Sequence, residues 1–507
     1  MKIIIVGGGT AGWLAALFIS KIKSNHEITI IESSQIGIIG AGEGSTGLLT
    51  NILTNSFWNF GCDHEEFLKE TGATLKYGIK HKDWQTIGSS YYGPLDGSFS
   101  YRSIPDLGLA WQVCNNGIEN AHLCSEMGIL LDQNASNIRS DNFKFQNYHH
   151  ALHFDAHKVG KYFKKIVLKD STVQYIDSEV DCVSLNNSGN ISSLTLKNTQ
   201  TVDGDFYIDA TGFKKLLSTK LEINWKSYQE YLPVNSAMPF LLNYEKDETP
   251  ESFTTAWAQG SGWMWQIPTQ DRKGCGYVFD DNFITADQAQ KEIETTLGRS
   301  INPIKVLKFD TGRLDTVWNK NCLSIGLSAA FAEPLEATSI HSTIVQLTKF
   351  TFEHLKDTLE DTLNRGSIKI YNEKMNRMYD DFKDFLVLHY MGGRTDTEFW
   401  RYIASGATKT DFVDSILEMS KSKMPTFNDF NEYYGAAGWP LYSWVLLGTG
   451  NLSKLVCEKE LNINLPGFVV NDQIAQEFAQ WQGNIKSQIS KNLSYKNFIH
   501  QLQNGKI

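Results

Sequence analysis

The first residues whose types and spacing could do chemistry form a glycine-rich turn near the start of the chain. Gly7, Gly9 and Gly12 have the GxGxxG spacing, and Glu32 follows further along. In this pattern the glycines allow a tight turn, close approach of the backbone to a pyrophosphate, and packing of a helix on a strand. The helix N-terminus supplies amide donors, and a carboxylate about 20 residues later accepts from a ribose hydroxyl. The motif predicts a dinucleotide site, for FAD or NAD, with an ordinary glycine-rich turn as the alternative.

The elements that must position this motif are also indicated by the sequence. A β-branched run at 2–6 predicts a strand, an apolar-periodic stretch at 13–22 predicts a helix, and 26–32 predicts a second strand. Later segments predict a glycine-rich loop at 37–49, a helix at 156–168, short strands at 172–196, a strand at 207–213, and helices at 344–363 and 371–390. The chain is therefore expected to be α/β, with a Rossmann-like cofactor module, a mixed β-sheet insertion and a mainly helical C-terminal part.

Composition excludes several classes of partner. Lys and Arg number 47 against 57 Asp and Glu, which gives a formal net charge of −10, and no basic run stands out. Nucleic-acid binding needs clustered basic residues, so none is expected. No stretch approaches the roughly 20 apolar residues of a membrane span, and the start lacks the apolar core of a signal peptide. The seven scattered cysteines, without a CxxC pair, favour a reducing cytoplasm.

Segments spread along nearly the whole chain resemble the flavin-dependent tryptophan halogenases. GGGTAGW at 7–13, SGWMWQIP at 261–268 and AEPLEATSI at 332–340 match motifs of that family, whose hallmark is GWxWxIP. Further segments follow in family order: LKYGIKHKDW (75–84), HFDAH (153–157), DATGF (209–213), GYVF (276–279), NCLSIG (321–326), RTDTEFW (394–400) and NEYYG (431–435). The resemblance implies FAD rather than NAD, on a fold of the flavin monooxygenase type. We expect residues 1–340 to form the FAD module with its inserted sheet and 341–507 to complete the substrate pocket, as one integrated unit.

The resemblance also implies roles for individual residues. Lys76, the first lysine of a KxxxK run before a tryptophan, matches the family's catalytic lysine. Glu336, in EPLEAT, matches the glutamate beside that lysine and the substrate. Thr338 and Ser339 stand where family members bind halide through backbone amides. The expected FAD cradle consists of Gly7, Gly9, Thr10, Ala11, Gly12, Glu32, Gly44, Val180, Leu327 and Ile340.

The implied chemistry explains these residue types. Reduced FAD and O2 turn a halide ion (bromide, chloride or iodide) into hypohalous acid. A lysine can hold that acid by hydrogen bonding, or capture it as a haloamine if burial deprotonates the amine. A carboxylate nearby can take the arene proton. Without the resemblance, Lys76 would be interpreted as an exposed lysine and Glu336 as a helix-start carboxylate.

A run of histidines offers a metal site as an alternative. His149, His153 and His157 have i, i+4 spacing and would share one face of a helix. The run lacks the glutamate of HExxH, and HFDAH is a segment of family members that need no metal, so no metal is expected. Asp155 is expected to cap a helix that begins near Ala156.

The substrate side departs from the tryptophan-specific members. Those enzymes hold the indole between two aromatic side chains of a YHSF-like segment. This segment aligns with Tyr92-Gly93-Pro94-Leu95, so both of these aromatic side chains, here called the aromatic plates, are missing. The stretch from 434 to 448 is also shorter than in tryptophan enzymes, and Trp439 and Trp444 are candidates for a replacement wall.

The halide-binding segment departs as well, because Ala337 and Ser339 replace the family's usual Ser and Gly. We therefore expect an electron-rich, indole- or phenol-like substrate, and bromide in preference to chloride. Whether the substrate is free or carrier-bound, and whether the chain forms a homo-oligomer, stays open. Only one dinucleotide motif is present, so a separate flavin reductase is expected to supply reduced FAD.

Two other functions compete with halogenation. An FAD-dependent aromatic hydroxylase would share the fold, but Lys76, Glu336 and the GWxWxIP run count against it. A catalytically inactive flavin-binding interaction protein is the second alternative, and the retention of Lys76 and Glu336 argues against such decay.

Overall fold

A computed structural model describes the chain except for residues 22–25, 38–39, 41, 55–58, 101–106, 356–364, 431–436 and 463–469. The NEYYG segment, part of the predicted loop at 37–49 and the far end of the predicted helix at 344–363 lie outside the described residues.

The strands are numbered in chain order. They are β1 (Lys2–Val6), β2 (Glu27–Glu32), β3 (Glu43–Gly44), β4 (Thr74–Lys76), β5 (Gly78–Lys82), β6 (Ser90–Pro94), β7 (Ala135–Arg139), β8 (Ala151–Phe154), β9 (Val173–Asp177), β10 (Val180–Leu185), β11 (Ile191–Leu196), β12 (Thr201–Asp203), β13 (Phe206–Asp209), β14 (Trp225–Ser227), β15 (Ser236–Asn243), β16 (Phe253–Ala258), β17 (Gly262–Pro268), β18 (Arg272–Phe279), β19 (Leu307–Lys308), β20 (Gly312–Leu314), β21 (Trp318–Asn319), β22 (Cys322–Ser324), β23 (Ala330–Phe331) and β24 (Asn492–Ser494).

The α-helices are numbered in the same way. They are α1 (Thr10–Ser20), α2 (Gly47–Leu53), α3 (His64–Thr71), α4 (Leu107–Asn116), α5 (Glu126–Asp132), α6 (Ala156–Val167), α7 (Leu216–Lys220), α8 (Ala286–Leu297), α9 (Thr338–Lys349), α10 (Arg365–His389), α11 (Glu398–Ala404), α12 (Asp411–Met419), α13 (Trp439–Gly448), α14 (Lys454–Leu461), α15 (Val470–Ile489) and α16 (Tyr495–Gln503). Within the part of the chain that the structure describes, none of these helices combines the length and hydropathy that a bilayer span needs.

A six-stranded sheet carries the predicted βαβ start. Its order is β21-β22-β13-β1-β2-β9, and every neighbouring pair is parallel except β21 with β22. β1 and β2 are near-continuous apolar runs, as expected for strands that are covered on both faces. The helix α1 is buried along most of its length and packs on α6 and α9.

A seven-stranded mixed sheet forms the predicted insertion. Its order is β19-β15-β18-β17-β16-β5-β6, and the GWxWxIP run is β17. β5 pairs parallel with β16 and antiparallel with β6. A small sheet of order β3-β8-β4 lies beside it and ends at Lys76.

Two large apolar clusters tie the N-terminal sheets to the C-terminal helices. The first cluster joins residues of β1 and α1 to Tyr371 in α10 and Phe498 in α16. The second cluster joins Trp263 in β17 to Leu388 in α10 and Trp444 in α13. Packing is therefore continuous across residue 340.

Two predicted elements differ from those observed, and the alternative interpretation of the histidine run as one helix face is excluded. The strand predicted at 207–213 ends at Asp209, whose carboxylate accepts hydrogen bonds from the backbone of Thr211 and Leu217 and begins a turn. The helix predicted at 344–363 begins earlier, at Thr338, and after Lys349 it widens into a π-turn over Phe350–His354. The histidine run is not helical, because Ala151–Phe154 is a strand.

Candidate active site

A cleft of about 380 Å³ opens at the carboxyl ends of β1 and β2, above the start of α1. This is where open α/β sheets bind nucleotides. Eight of the ten residues predicted for the FAD cradle line it: Gly7, Gly9, Thr10, Ala11, Glu32, Val180, Leu327 and Ile340. The other two, Gly12 and Gly44, do not.

The glycines of the motif explain both the shape of the cleft and the place of Gly12. Gly7 has φ +114°, and a Cβ there would lie 2.2 Å from the carbonyl oxygen of Ala210. A Cβ at Gly12 would lie 1.9 Å from the carbonyl oxygen of Gly7, so Gly12 is needed for packing behind the cleft. A Cβ at Gly9 would have no neighbour within 4 Å, so the backbone there borders open space. These residues fit a dinucleotide such as FAD.

Glu32 has a counter-charge that sequence reasoning missed. The Lys164 ammonium donates to the Glu32 carboxylate at 2.8 Å and lies 3.6 Å from the centre of the Tyr175 ring. Lys164 lies on α6, far from the motif in sequence, so no local spacing indicates it. The ion pair with Lys164 therefore holds the Glu32 carboxylate at the cleft.

Lys76 is buried at the end of β4, with 1% of its surface exposed. Its ammonium lies 3.4 Å from the backbone oxygen of Ser45, and 3.4 Å from where a Cβ of Gly44 would be. Burial lowers the pKa of the amine to about 8, against the opposing charge of Glu336. Gly44 therefore faces Lys76, whereas its neighbour Glu43 lines the flavin cleft, as alternation along a strand requires. Gly44 was expected to line the FAD cradle, but in the structure it faces Lys76 and Glu43 lines the cleft instead.

Glu336 lies between two buried histidines. Its Oε1 is 3.0 Å from Nε2 of His389 and 3.7 Å from Nε2 of His81. Burial favours the neutral acid, but His389 and His81 outweigh it and lower the pKa of Glu336 to about 2. Burial in turn lowers the pKa of His81 to about 4, against the attraction of Glu336. Glu336 is thus an anionic carboxylate at neutral pH, as a general base must be.

His81, His389 and Tyr91 are site residues that sequence reasoning missed. The rings of His81 and Tyr91 stack at 4.5 Å with an interplanar angle of 8°, because the two residues pair directly across β5 and β6. His81 belongs to the LKYGIKHKDW segment, five positions after Lys76, which is a usable signal. His389 ends α10 far along the chain, and only the tertiary fold brings it to Glu336.

A second buried glutamate ties the EPLEAT segment to the hallmark strand. One carboxylate oxygen of Glu333 accepts from the Trp263 indole at 2.8 Å and from the Tyr390 hydroxyl at 2.5 Å. Glu333 is fully buried, which raises its pKa to about 7 even though both donors lower it. Trp263 of GWxWxIP therefore helps to place the loop that carries Glu336.

The predicted halide-binding residues begin α9. Ala337 precedes the helix with φ +55°, and the first-turn amides of Thr338 and Ser339 have no partners within the helix. Ser339 and Ile340 line the flavin cleft, while Thr338 is buried. Consecutive residues thus connect the carboxylate of Glu336 to the helix N-terminus and the flavin cleft.

Comparison with known proteins identifies the family. A sequence profile of the tryptophan halogenases matches residues 2–458. The chain is 32% identical over 460 residues to the tryptophan 7-halogenase RebH of Lentzea aerocolonigenes. This alignment covers 86% of this chain and 85% of RebH. The chain belongs to the tryptophan halogenase family. The solved tryptophan 6-halogenase SttH of Streptomyces toxytricini superposes on this halogenase with a TM-score of 0.85, at 26% identity over 98% of this chain and 99% of that one. Tar14, a tryptophan C-6 flavin-dependent halogenase from taromycin biosynthesis, superposes with a TM-score of 0.87, at 25% identity over 99% of each chain.

These findings confirm that the chain is a flavin-dependent halogenase with a Rossmann-like α/β fold and a helical C-terminal part. The family implies FAD, a halide ion, a separate flavin reductase and an aromatic substrate.

The predicted substrate-side residues of this halogenase are spread over different environments. Gly93 faces His81, whose ring would lie 3.7 Å from a Cβ at that position. Pro94 is buried, and Leu95 is half-buried against the first apolar cluster. Trp439 is half-buried and contacts Phe427 edge-on at 5.8 Å.

Trp444 does not match its predicted place in an aromatic wall. It is 2% exposed and belongs to the second apolar cluster, where its indole donates to the backbone oxygen of Asp96 at 3.3 Å. The helix α13 is apolar on nearly every side, so its periodicity alone does not separate a core tryptophan from one that faces a ligand.

The histidine run of the halogenase is divided between elements. His149 is an exposed residue before β8, His153 is buried in β8 with Nε2 2.8 Å from the Thr254 hydroxyl, and His157 is exposed on α6. The single helix face considered for these residues does not exist. Asp155 caps α6 as predicted and accepts from the backbone amide of His157 at 2.9 Å.

Proposed function

We propose that the chain halogenates an electron-rich, indole- or phenol-like arene, with Lys76 delivering the halogen and Glu336 removing the ring proton. The observation that carries this proposal is the pairing of a buried amine of lowered pKa with a largely buried carboxylate that stays anionic. The two groups are poised for opposite tasks, because the amine can act as a nucleophile and the carboxylate as a base.

The cleft at the glycine turn is the proposed site of the cofactor. The glycine turn, Glu32 and the start of α9 would hold FAD. Bound in its reduced form and given O2 and halide, FAD supplies hypohalous acid, HOX. The chain has one dinucleotide motif, so we propose that a separate flavin reductase provides the reduced FAD.

Lys76 then captures the halogen. The neutral amine attacks the halogen atom of HOX, an N–X bond forms as the O–X bond breaks, and the departing hydroxide takes a proton from nitrogen to leave as water. Burial of Lys76 favours this route, because it increases the fraction of neutral amine near pH 7. It also keeps the reactive species away from bulk water.

Glu336 completes the exchange. As the arene attacks the halogen, a C–X bond forms and the N–X bond breaks. The carboxylate removes the ring proton, which then passes to the Lys76 nitrogen in place of the proton lost with water, so both groups return to their starting states. The hydrogen bond from His389 holds Glu336 in one orientation for this step.

The proposed substrate and halide rest on the departures in sequence. Gly93 and Leu95 replace the two aromatic plates of the tryptophan-specific enzymes, which disfavours free tryptophan. Ala337 and Ser339 alter the segment proposed to hold the halide. Bromide is easier to desolvate and to oxidise than chloride, so we propose that bromide is used better.

The test is product analysis by mass spectrometry. The purified chain would be incubated with flavin reductase, FAD, NADH, bromide or chloride, and a panel of indoles and phenols. Brominated products that require the reductase are expected. Hydroxylated products would instead indicate a hydroxylase, and the absence of any product across the panel would favour an inactive flavin-binding protein. Halogenation coupled to NADH oxidation by the chain alone would contradict the requirement for a reductase.

A further inference from the structure

We propose that a divalent metal ion of the Zn²⁺ class binds between His81, Glu336 and His389 and thereby blocks the carboxylate. Each residue offers one ligand atom, and these atoms lie within 4.8 Å of one another. His81 and His389 are buried, and 13% of the Glu336 side chain is exposed. The site therefore has two enclosed nitrogen ligands and one oxygen ligand on a side chain that is partly exposed.

His389 has the hydrogen bonding that is typical of a metal-binding histidine. Its Nδ1 lies 2.9 Å from the backbone oxygen of Phe385, so this nitrogen carries a proton and donates it. Histidines that bind metals regularly donate their other ring N–H to a carbonyl in this way. Nε2 is then the ring nitrogen that faces Oε1 of Glu336, 3.0 Å away. A cation between the two atoms would take the place of the Nε2 hydrogen that bridges them, and its binding would release that proton.

His81 supplies the second, independent observation. It is 1% exposed, and neither of its ring nitrogens has a hydrogen-bond partner among the described residues. Its Nε2 is directed at Glu336 but lies 3.7 Å from Oε1, beyond hydrogen-bonding distance. A buried polar atom without a partner is costly, and a bound ion would satisfy it. Stacking on Tyr91 already fixes the ring, so little reorganisation is needed.

The distances suit Zn²⁺. Zn–N and Zn–O bonds of about 2.0–2.2 Å in a tetrahedral site place ligand atoms about 3.4 Å apart. The observed separations of 3.0 and 3.7 Å lie on either side of that value. Imidazole nitrogens suit Zn²⁺ and Co²⁺, whereas Mg²⁺ requires oxygen ligands in an octahedron. The cationic form of Lys76 opposes the ion, so we expect moderate affinity and reversible binding.

Binding of the ion would inhibit halogenation, because it would occupy the lone pairs with which Glu336 removes a proton. This consequence rests on the proposed function of Glu336, whereas binding itself does not. The site differs from the histidine run at 149–157, whose exposed members His149 and His157 provide matched controls.

The test is titration of the metal-free protein with Co²⁺, followed by visible absorption and displacement by Zn²⁺, without flavin, halide or substrate. Wild type and His149→Ala/His157→Ala are expected to bind Co²⁺ equally. His81→Phe and His389→Ala should weaken binding by at least the roughly 10- to 100-fold that loss of an outer-shell partner costs. Glu336→Gln, an isosteric change, should weaken Co²⁺ binding as well, and it replaces either histidine variant in the test if that variant fails to fold. Mg²⁺ should not displace Co²⁺.

Inhibition is measured separately. Zn²⁺ should reduce bromination by the wild type and a chelator should restore it, while NADH oxidation by the reductase alone serves as control. Absence of a Co²⁺ spectrum, or binding that persists in the His81, His389 and Glu336 variants, or binding lost in the His149/His157 control, would overturn the proposal. A chain that binds Co²⁺ without halogenating any substrate would refute the proposed function and leave the metal site standing.

Discussion

The flavin cleft and the Lys76–Glu336 site are adjacent but are constructed in different ways. The glycine turn and the start of α1 form one wall of the cleft, distant residues such as Val180 and Leu327 complete the lining, and Gly9 borders open space. The Lys76–Glu336 site is closed and charged, with side chains from β4, β5, α10 and the segment before α9. One region is shaped to receive a large ligand, and the other to change the protonation of a few groups.

The difference shows where burial is used in this halogenase. In the cleft, the charge of Glu32 is balanced by the half-exposed Lys164, so electrostatics there resemble those of a surface ion pair. In the Lys76–Glu336 site, burial lowers the pKa of Lys76, and the two histidines keep Glu336 anionic. Variants of the second region should therefore change chemistry and leave flavin binding intact.

The largest effect is expected from Lys76→Ala. Halogenation should fall to the background of the assay, because Lys76 is the only buried lysine among the described residues. FAD affinity, measured by fluorescence quenching, should be unchanged, since Lys76 does not line the cleft. Lys80→Ala, four positions later on β5, is the matched control and should stay active. If Lys76→Ala loses FAD binding as well, the two regions are not separable in this way.

Glu336→Gln should reduce turnover by about 10²- to 10⁴-fold, the contribution of a positioned acid or base. The amide keeps the shape of the carboxylate and an acceptor for His389, but it cannot take the ring proton. Steady-state bromination of an indole measures the loss, with the exposed Glu373→Gln on α10 as control. Turnover within a few-fold of wild type would assign proton removal to another group.

The sequence predicted the cleft far better than the Lys76–Glu336 site, for a physical reason. The turn, α1 and Glu32 belong to one βαβ unit, so residue spacing determines their geometry. Lys76 and Glu336 were recognised through family resemblance, but their burial, the histidines and the Glu333–Trp263 hydrogen bond depend on contacts between distant segments. Gly44 and Trp444 were misplaced for the same reason, because strand orientation and core packing decide which way a residue faces.

Glu333→Ala should destabilise the protein by several kcal/mol, because each buried donor left without an acceptor costs about 1–3 kcal/mol. Trp263 and Tyr390 would both lose their acceptor. Glu333→Gln keeps an acceptor and should cost less. Denaturant unfolding measures both variants. An equal loss of stability in Glu333→Ala and Glu333→Gln would mean that neither the side-chain volume nor the hydrogen bonds of Glu333 determine its contribution.

The free energy of unfolding should also depend on pH through Glu333. The pKa of Glu333 in the folded chain, about 7, lies above the ordinary value for a glutamate. Its contribution to stability is thus full below the unfolded pKa and is lost as pH rises toward 7. Glu333→Gln should be flatter in stability than the wild type over that window.

Activity should rise with pH between about 6 and 8, by roughly tenfold per unit at first, because the neutral fraction of an amine grows tenfold per unit below its pKa. The pKa of Lys76, about 8, sets the upper end of this window. Single-turnover bromination with chemically reduced FAD removes the pH dependence of the reductase. A rate that instead falls as pH rises would mean that the protonated amine acts, holding HOX as a hydrogen-bond donor.

The smallest effect concerns the choice of substrate. Free tryptophan should be a poorer substrate than simple, electron-rich indoles, and bromide should be used better than chloride. An aromatic pair is worth about 0.5–1.5 kcal/mol beyond its buried area, or roughly two- to tenfold in kcat/KM for each lost plate. Gly93 offers a way to restore one, because a Cβ there would meet nothing closer than the His81 ring at 3.7 Å.

Gly93→His combined with Leu95→Phe should therefore raise the ratio of kcat/KM for tryptophan to that for indole, and Leu95→Ile should leave the ratio unchanged. The gain should be in binding and orientation, because Lys76 and Glu336 lie on other elements and keep their protonation. Competition assays with both substrates in one reaction measure the ratio directly. Efficient chlorination of free tryptophan at a single ring position by the wild type, faster than bromination of indoles, would show that the pocket is complete without the two plates.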